Sequence, residues 1–167
     1  MSDLIRIQFV CLGNICRSPL AEVVFRDKVE EKGLKEKFDI ESSGTGDWHV
    51  GEGADSRMRQ TADEFGHSLE DHRAQQFQAA DLEAYDHVFV MDKSNLNDVL
   101  YFDEEDRHSG KVRLFREFDP NPGDYQVPDP YYGGDEGFKN VYDIVSRTSE
   151  VILERLIAEY DLNGEAN

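Results

Sequence analysis

The chain has 167 residues, 38% of them apolar, enough for a single domain with a buried core. Its 36 acidic against 18 basic residues leave a net charge of −18, which argues against nucleic acid as a partner and describes a solvated acidic surface. No apolar run is long enough to span a bilayer, and the first residues lack the basic start and apolar stretch of a signal peptide, so a cytoplasmic protein without membrane insertion is expected, monomeric by default.

The first predicted element is a strand over residues 5–10, β-branched and aromatic, stopped by the turn signal Gly13-Asn14. Ser18-Pro19 predicts a helix start, with Ser18 as the capping residue and Pro19 at the first helical position. The helix carries the apolar stripe of Leu20, Ala21, Val23, Val24 and Phe25 and ends at Gly33. Residues 38–42 alternate as a second strand. A polar loop over 44–53 holds the only tryptophan, Trp48, and a helix is predicted over 54–65, closed by Gly66.

Residues 87–91 read as a buried strand, followed by a helix opened by Asp92 and Ser94. A short fourth strand is expected over 112–115. Residues 118–134, rich in Pro, Gly, Asp and Tyr, read as a long functional loop. The last helix is marked by Phe138, Val141, Tyr142, Val145, Ile152, Leu153, Leu156, Ile157 and Tyr160 at spacings of three and four.

Strands alternating with helices imply right-handed βαβ units. The expectation is an α/β fold: one three-layer domain over residues 1–161, with a four-stranded parallel twisted sheet in the order 2-1-3-4 and helices on both faces. Residues 162–167 are expected to form a flexible tail.

Ligands of such sheets bind beyond the carboxyl ends of the strands. Cys11-Leu12-Gly13-Asn14-Ile15-Cys16-Arg17-Ser18 lies at such an end. The thiolate is the reactive form of cysteine, and a helix N-terminus, a nearby arginine and backbone N–H groups all favour it. Amides of Leu12, Gly13, Asn14, Ile15, Cys16 and Arg17 can curl into an anion nest, with Gly13 and Asn14 tolerating left-handed backbone. Arg17 offers a planar fork to two phosphate oxygens. The Ser18 hydroxyl is placed to donate to the Cys11 sulfur. A structural disulfide between Cys11 and Cys16 would close only a tiny ring, and no Cys/His cluster completes a metal site, so neither a metal nor any other cofactor is expected.

With these residues in hand, the chain resembles the low-molecular-weight protein tyrosine phosphatases. The match runs through residues 10–19 with Ala21-Glu22, then Glu41-Ser42, then Met91-Asp92-Lys93-Ser94-Asn95-Leu96, and then Asp129-Pro130-Tyr131-Tyr132-Gly133, in family order. The resemblance implies that Cys11 attacks phosphorus to form a phosphocysteine, that Arg17 and the loop amides hold the oxygens, and that Asp129 acts as acid and then base. Spacing alone does not select Asp129, because Asp119 and Asp124 share its loop. The resemblance further implies a supporting network of Asn14, Ser18, Ser42 and His72, and a substrate pocket walled by Ile15, Trp48, Tyr131 and Tyr132. It also implies a redox pair, Cys16 trapping oxidised Cys11 as a disulfide. The implied partners are tyrosine-phosphorylated proteins.

Three other readings compete. Arsenate reductases share the loop but relay a disulfide to later cysteines, and none follows Cys16. Protein-arginine phosphatases carry a threonine where Ile15 stands here. A non-catalytic phosphoprotein-binding or redox-sensing module would typically lack the cysteine, arginine or acid, all of which are present.

Overall fold

A computed structural model describes residues 4–131 and 134–162. Four strands, β1 (Ile5–Cys11), β2 (Phe38–Gly44), β3 (His87–Val90) and β4 (Val112–Leu114), form one sheet, parallel as the alternation of elements predicts and in the expected order β2-β1-β3-β4. The helices are α1 (Arg17–Glu31), α2 (Ser56–Glu64), α3 (Asp81–Ala84), α4 (Lys93–Tyr101) and α5 (Asp135–Glu159).

Because successive side chains of a strand point to opposite faces, β1 feeds two cores. Ile5, Ile7 and Phe9 join Val24 and Phe25 of α1 and Ile144 and Leu153 of α5 on one face. Val10 joins Val88, Val90, Leu82 and Val99 on the other. Both faces are thus dry, and every loop at the carboxyl ends of the strands is carried by a rigid layer.

Several boundaries differ from expectation. Helix α1 begins at Arg17, its N-cap is Cys16, and no side chain caps it. Ser18 is therefore not the cap; its hydroxyl is engaged beside Cys11. Helix α2 starts at Ser56, where the Asp55 carboxylate accepts from the N–H groups of Arg57 and Met58. The one-turn helix α3 was not anticipated, being too short to show a period. Phe115 leaves β4 for a 3₁₀ turn over Phe115–Phe118 and is wholly buried. At the C-terminus Leu162, expected in the tail, is buried in the larger core and its N–H donates to the Ile157 carbonyl at 2.9 Å; residues 163–167 of the expected tail lie outside the described residues.

Candidate active site

Strand β1 delivers Cys11 to the carboxyl edge of the sheet, and the chain then wraps back into α1. The turn needs one left-handed residue. Asn14 takes it, at φ 57°. Gly13 does not use its conformational freedom; a Cβ there would stand 3.0 Å from Cδ2 of His49, so the glycine makes room for that ring. Gly44 is pinned more tightly, since a Cβ would meet the Leu12 carbonyl oxygen at 2.7 Å.

The orientation of Asn14 follows from donor and acceptor counting. Its Oδ1 accepts from the Gln75 N–H at 2.9 Å, so its Nδ2 faces the serines, donating to Ser18 Oγ at 2.9 Å and Ser42 Oγ at 3.0 Å. Ser42 in turn donates to Glu22, which also accepts from Arg26. Ser18 Oγ lies 3.0 Å from Cys11 Sγ and 3.2 Å from the Ser43 carbonyl. His72 donates from Nε2 to the Asn14 carbonyl at 2.7 Å, and burial lowers its pKa despite that hydrogen bond. Asn14, Ser18, Ser42 and His72 are thus one connected network, and all but His72 are almost fully buried. Sequence reading missed Glu22 and Gln75 as its outer members.

The same turn brings donors to the sulfur. The Asn14 N–H reaches Cys11 Sγ at 3.3 Å. Helix α1 has no side-chain cap and follows directly from the loop of residues 11–16; the first turn of a helix leaves N–H groups without helical partners, which can seat an oxyanion.

Arg17 is almost completely buried and fixed in place. Its Nη1 donates to Asp92 Oδ2 at 2.8 Å and to the Val127 carbonyl at 3.0 Å. Burial alone would favour the neutral form, but the proximity of Cys11, Asp92 and Asp129 outweighs it and keeps the guanidinium charged. Asp92, a helix start in the sequence and part of the matched Met91–Leu96 stretch, does cap α4 through a reciprocal bond with Asn95. Its second role follows from topology: it stands at the end of β3, next to β1, and so beside the cysteine loop.

The long loop supplies a carboxylate. Asp129 Oδ2 lies 3.7 Å from Arg17 Nη2, its other oxygen accepts from the Tyr131 N–H at 3.0 Å, and its side chain is 40% exposed. Asp119 is instead buried, bound by Arg116 and Arg147, and Asp124 is exposed and accepts from the Gln126 N–H. Of the three aspartates that spacing left open, only Asp129 lines the cavity above Cys11.

That cavity holds about 320 Å³. Cys11, Cys16, Arg17, Gly13 and Asp129 form its floor and one side; Leu12, Ile15, Trp48, His49 and Tyr131 form its walls. Trp48 is 68% exposed and lies across Gly46, where a Cβ would fall 1.9 Å from the indole. Its exposure shows that it is not a core anchor. The His49 imidazole, held through Nδ1 by Glu52 at 2.9 Å, is a further wall that the sequence hinted at only by adjacency. Tyr132, expected as a wall, lies outside the described residues. Cys16 is buried; burial, reinforced by Asp55, Cys11 and Asp129, pushes its thiol pKa upward. Both cysteines are free.

A family model described as low molecular weight phosphotyrosine protein phosphatase matches residues 6–162. The chain belongs to this family. It is 45% identical over 150 residues to the low molecular weight protein-tyrosine-phosphatase of Streptomyces coelicolor, covering 89% of this chain and 91% of that one. Its identity to the low molecular weight phosphotyrosine protein phosphatase of Schizosaccharomyces pombe is 44%, over 85% of this chain and 90% of the relative. Among solved structures, a protein tyrosine phosphatase from Entamoeba histolytica with Hepes in the active site superposes with a TM-score of 0.89 at 35% identity, covering 93% of this chain and 99% of that one. In this low-molecular-weight phosphatase the motif match and the geometry converge on one cavity. No described helix is long and apolar enough to cross a membrane, and no described group of His, Cys, Asp and Glu is arranged to hold a metal ion.

Proposed function

We propose that the protein hydrolyses phosphotyrosine in proteins, and small aryl phosphates, through a phosphocysteine. The observation that carries this reading is the meeting of Cys11, Arg17 and Asp129 around a single cavity with apolar walls. In the first step the Cys11 thiolate attacks phosphorus, the S–P bond forms as the P–O bond to the phenol breaks, and the leaving oxygen takes a proton from Asp129. In the second step Asp129, now a carboxylate, takes a proton from water, whose oxygen attacks phosphorus. The S–P bond breaks, and phosphate leaves with the thiolate restored.

Phosphoryl transfer of this loose kind needs positioning and fixed charge more than covalent help. The fixed charge is Arg17, bonded to Asp92 and the Val127 carbonyl. The Ser18 hydroxyl, within reach of the sulfur, stabilises it as it becomes the leaving group. Ile15, Trp48 and Tyr131 favour a planar aromatic leaving group over a guanidino one, which supports phosphotyrosine over phosphoarginine.

Cys16 is proposed as the redox partner. Peroxide converts the Cys11 thiolate to a sulfenic acid, and the Cys16 thiol condenses with it, releasing water and leaving a disulfide that added thiol reduces. The protein is proposed to act as a cytoplasmic monomer.

The test is turnover of p-nitrophenyl phosphate and of phosphotyrosine and phosphoarginine peptides by wild type, Cys11→Ser and Asp129→Asn. Wild type is expected to prefer the phosphotyrosine peptide, Cys11→Ser to be inactive, and Asp129→Asn to lose about 10²-fold or more in kcat. No turnover by reduced wild type refutes the enzyme reading and leaves a phosphoprotein-binding module.

A further inference from the structure

A second cavity, of about 500 Å³, opens between β3, β4 and the last turns of α5. Its lining includes His87, at the amino end of β3. The cysteine loop follows the carboxyl end of the neighbouring β1, so the two sites lie toward opposite ends of the sheet. The floor is apolar: Phe89, Phe118, Ile152 and Leu156. The walls are planar and cationic. The guanidinium groups of Arg113 and Arg155 stand 5.4 and 5.3 Å from the centroid of the Phe118 ring, and the His87 imidazole lies nearly parallel to Phe89 with centroids 6.0 Å apart.

Charge bookkeeping singles out Arg155. Arg113 is chelated by Glu117, and Lys111 donates to the Leu82 carbonyl at 2.7 Å. Two carboxylates also line the cavity. Asp86 is turned to the Arg6 N–H at 2.9 Å, and Glu159, one helical turn beyond Arg155, acts on His87 and Tyr160. Among the described residues Arg155 enters no ion pair, its contact being the Phe118 ring, although this chain carries twice as many acidic as basic residues. A guanidinium stacked on an aromatic ring keeps its N–H edge free for a planar acid group.

We propose that this groove is a second ligand site, taking a small aromatic anion. Its apolar body lies against the partly exposed Phe118 and His87, and its acid group pairs with Arg155. Planar walls favour a ring over an aliphatic chain, because rings gain from offset stacking and edge contacts with Phe118 and His87. The site is separate from the phosphate loop, so its occupant does not compete with phosphate.

The test is a ¹⁵N-HSQC titration with 1-naphthalenesulfonate, which the protein cannot hydrolyse, in saturating inorganic phosphate to hold the phosphate loop occupied. Saturable shifts are expected at His87, Phe118 and Arg155 and not at residues 11–18. Arg155→Ala is expected to raise the dissociation constant about fivefold or more, Arg155→Lys less, and Arg59→Ala, an exposed arginine on α2, not at all. The spectrum of each variant establishes that it is folded. Absence of saturable shifts, shifts confined to the phosphate loop, an unchanged constant in Arg155→Ala, or equal binding of uncharged 1-naphthalenemethanol each overturn the proposal. None of these outcomes depends on phosphatase activity.

Discussion

Replacing Asp119 by Asn is expected to cost about 3 kcal/mol of stability without touching the active cavity. The Asp119 side chain is wholly buried and accepts from Arg116 Nε at 2.9 Å, Arg147 Nε at 2.8 Å, Arg147 Nη2 at 3.0 Å and the Asn121 N–H at 2.9 Å. Removing one partner of a buried ion pair costs about 3–5 kcal/mol, because the remaining charge is left uncompensated. The lower end applies here, since Arg147 is 37% exposed and can turn to water. For a domain of this size, about 3 kcal/mol lowers Tm by roughly 6–12 °C. The pH dependence has a defined sign. Burial alone would raise the Asp119 pKa, but hydrogen bonds from Arg147, the Asn121 N–H and Arg116 outweigh it and hold it below the ordinary 3.8. A depressed carboxylate contributes its stability fully above the unfolded value and loses it as pH falls through the folded one. Urea unfolding of wild type and Asp119→Asn at pH 7 should therefore differ by the full amount. The gap should begin to close below about pH 5, as the unfolded chain takes up its proton. A Tm within 2 °C of wild type at pH 7, or a gap that stays constant to the acid limit, would refute the reasoning.

Four further outcomes follow from the site. Asn14→Ala should lose the bonds to Ser18, Ser42 and Gln75 and pay about 1–2 kcal/mol for a left-handed alanine; kcat/KM and urea midpoint should both fall, and an unchanged midpoint would contradict the turn assignment. Gly46→Ala must displace the Trp48 indole, so KM for aryl phosphates should rise with Tm little changed; an unaltered KM would remove Trp48 from substrate recognition. After peroxide treatment, wild type should regain activity with added thiol and Cys16→Ser should not; equal recovery would exclude the disulfide. Adding salt should first raise kcat/KM for anionic substrates, because the net charge of −18 repels them over a Debye length of about 10 Å at 0.1 M; a monotonic fall from low salt would contradict this.

How much of this was legible in the sequence depended on range. The parallel sheet and its layers follow from alternation, whereas the strand order rests on likeness to a known fold, and Gly33 and Gly66 do adopt the left-handed conformations that end α1 and α2, at φ 71° and 87°. Those are local rules. Ser18 failed as a cap because α1 starts at Arg17 and the Ser18 hydroxyl is engaged with Cys11, Asn14 and the distant Ser43 carbonyl. Gly13 was placed correctly for the wrong reason, since clearance for His49 cannot be read from a turn signal. Asp92 as the partner of Arg17, and Asp129 rather than Asp119 above Cys11, required knowing which strand ends are neighbours. A sequence gives such adjacency only through the fold, or through likeness to a family.

The distances along the chain that close the site also have a kinetic meaning. Asn14 is held by Gln75, 61 residues away, and Arg17 by the Val127 carbonyl, 110 residues away. Contacts that close such long loops demand their entropy before returning any energy, and parallel pairing adds to the delay. The phosphate loop is therefore expected to reach its final shape among the last events of folding. Substitutions in it should then speed unfolding more than they slow refolding. A nascent chain still missing residues around 127 would carry the whole eight-residue motif and yet lack one of the two acceptors that hold Arg17.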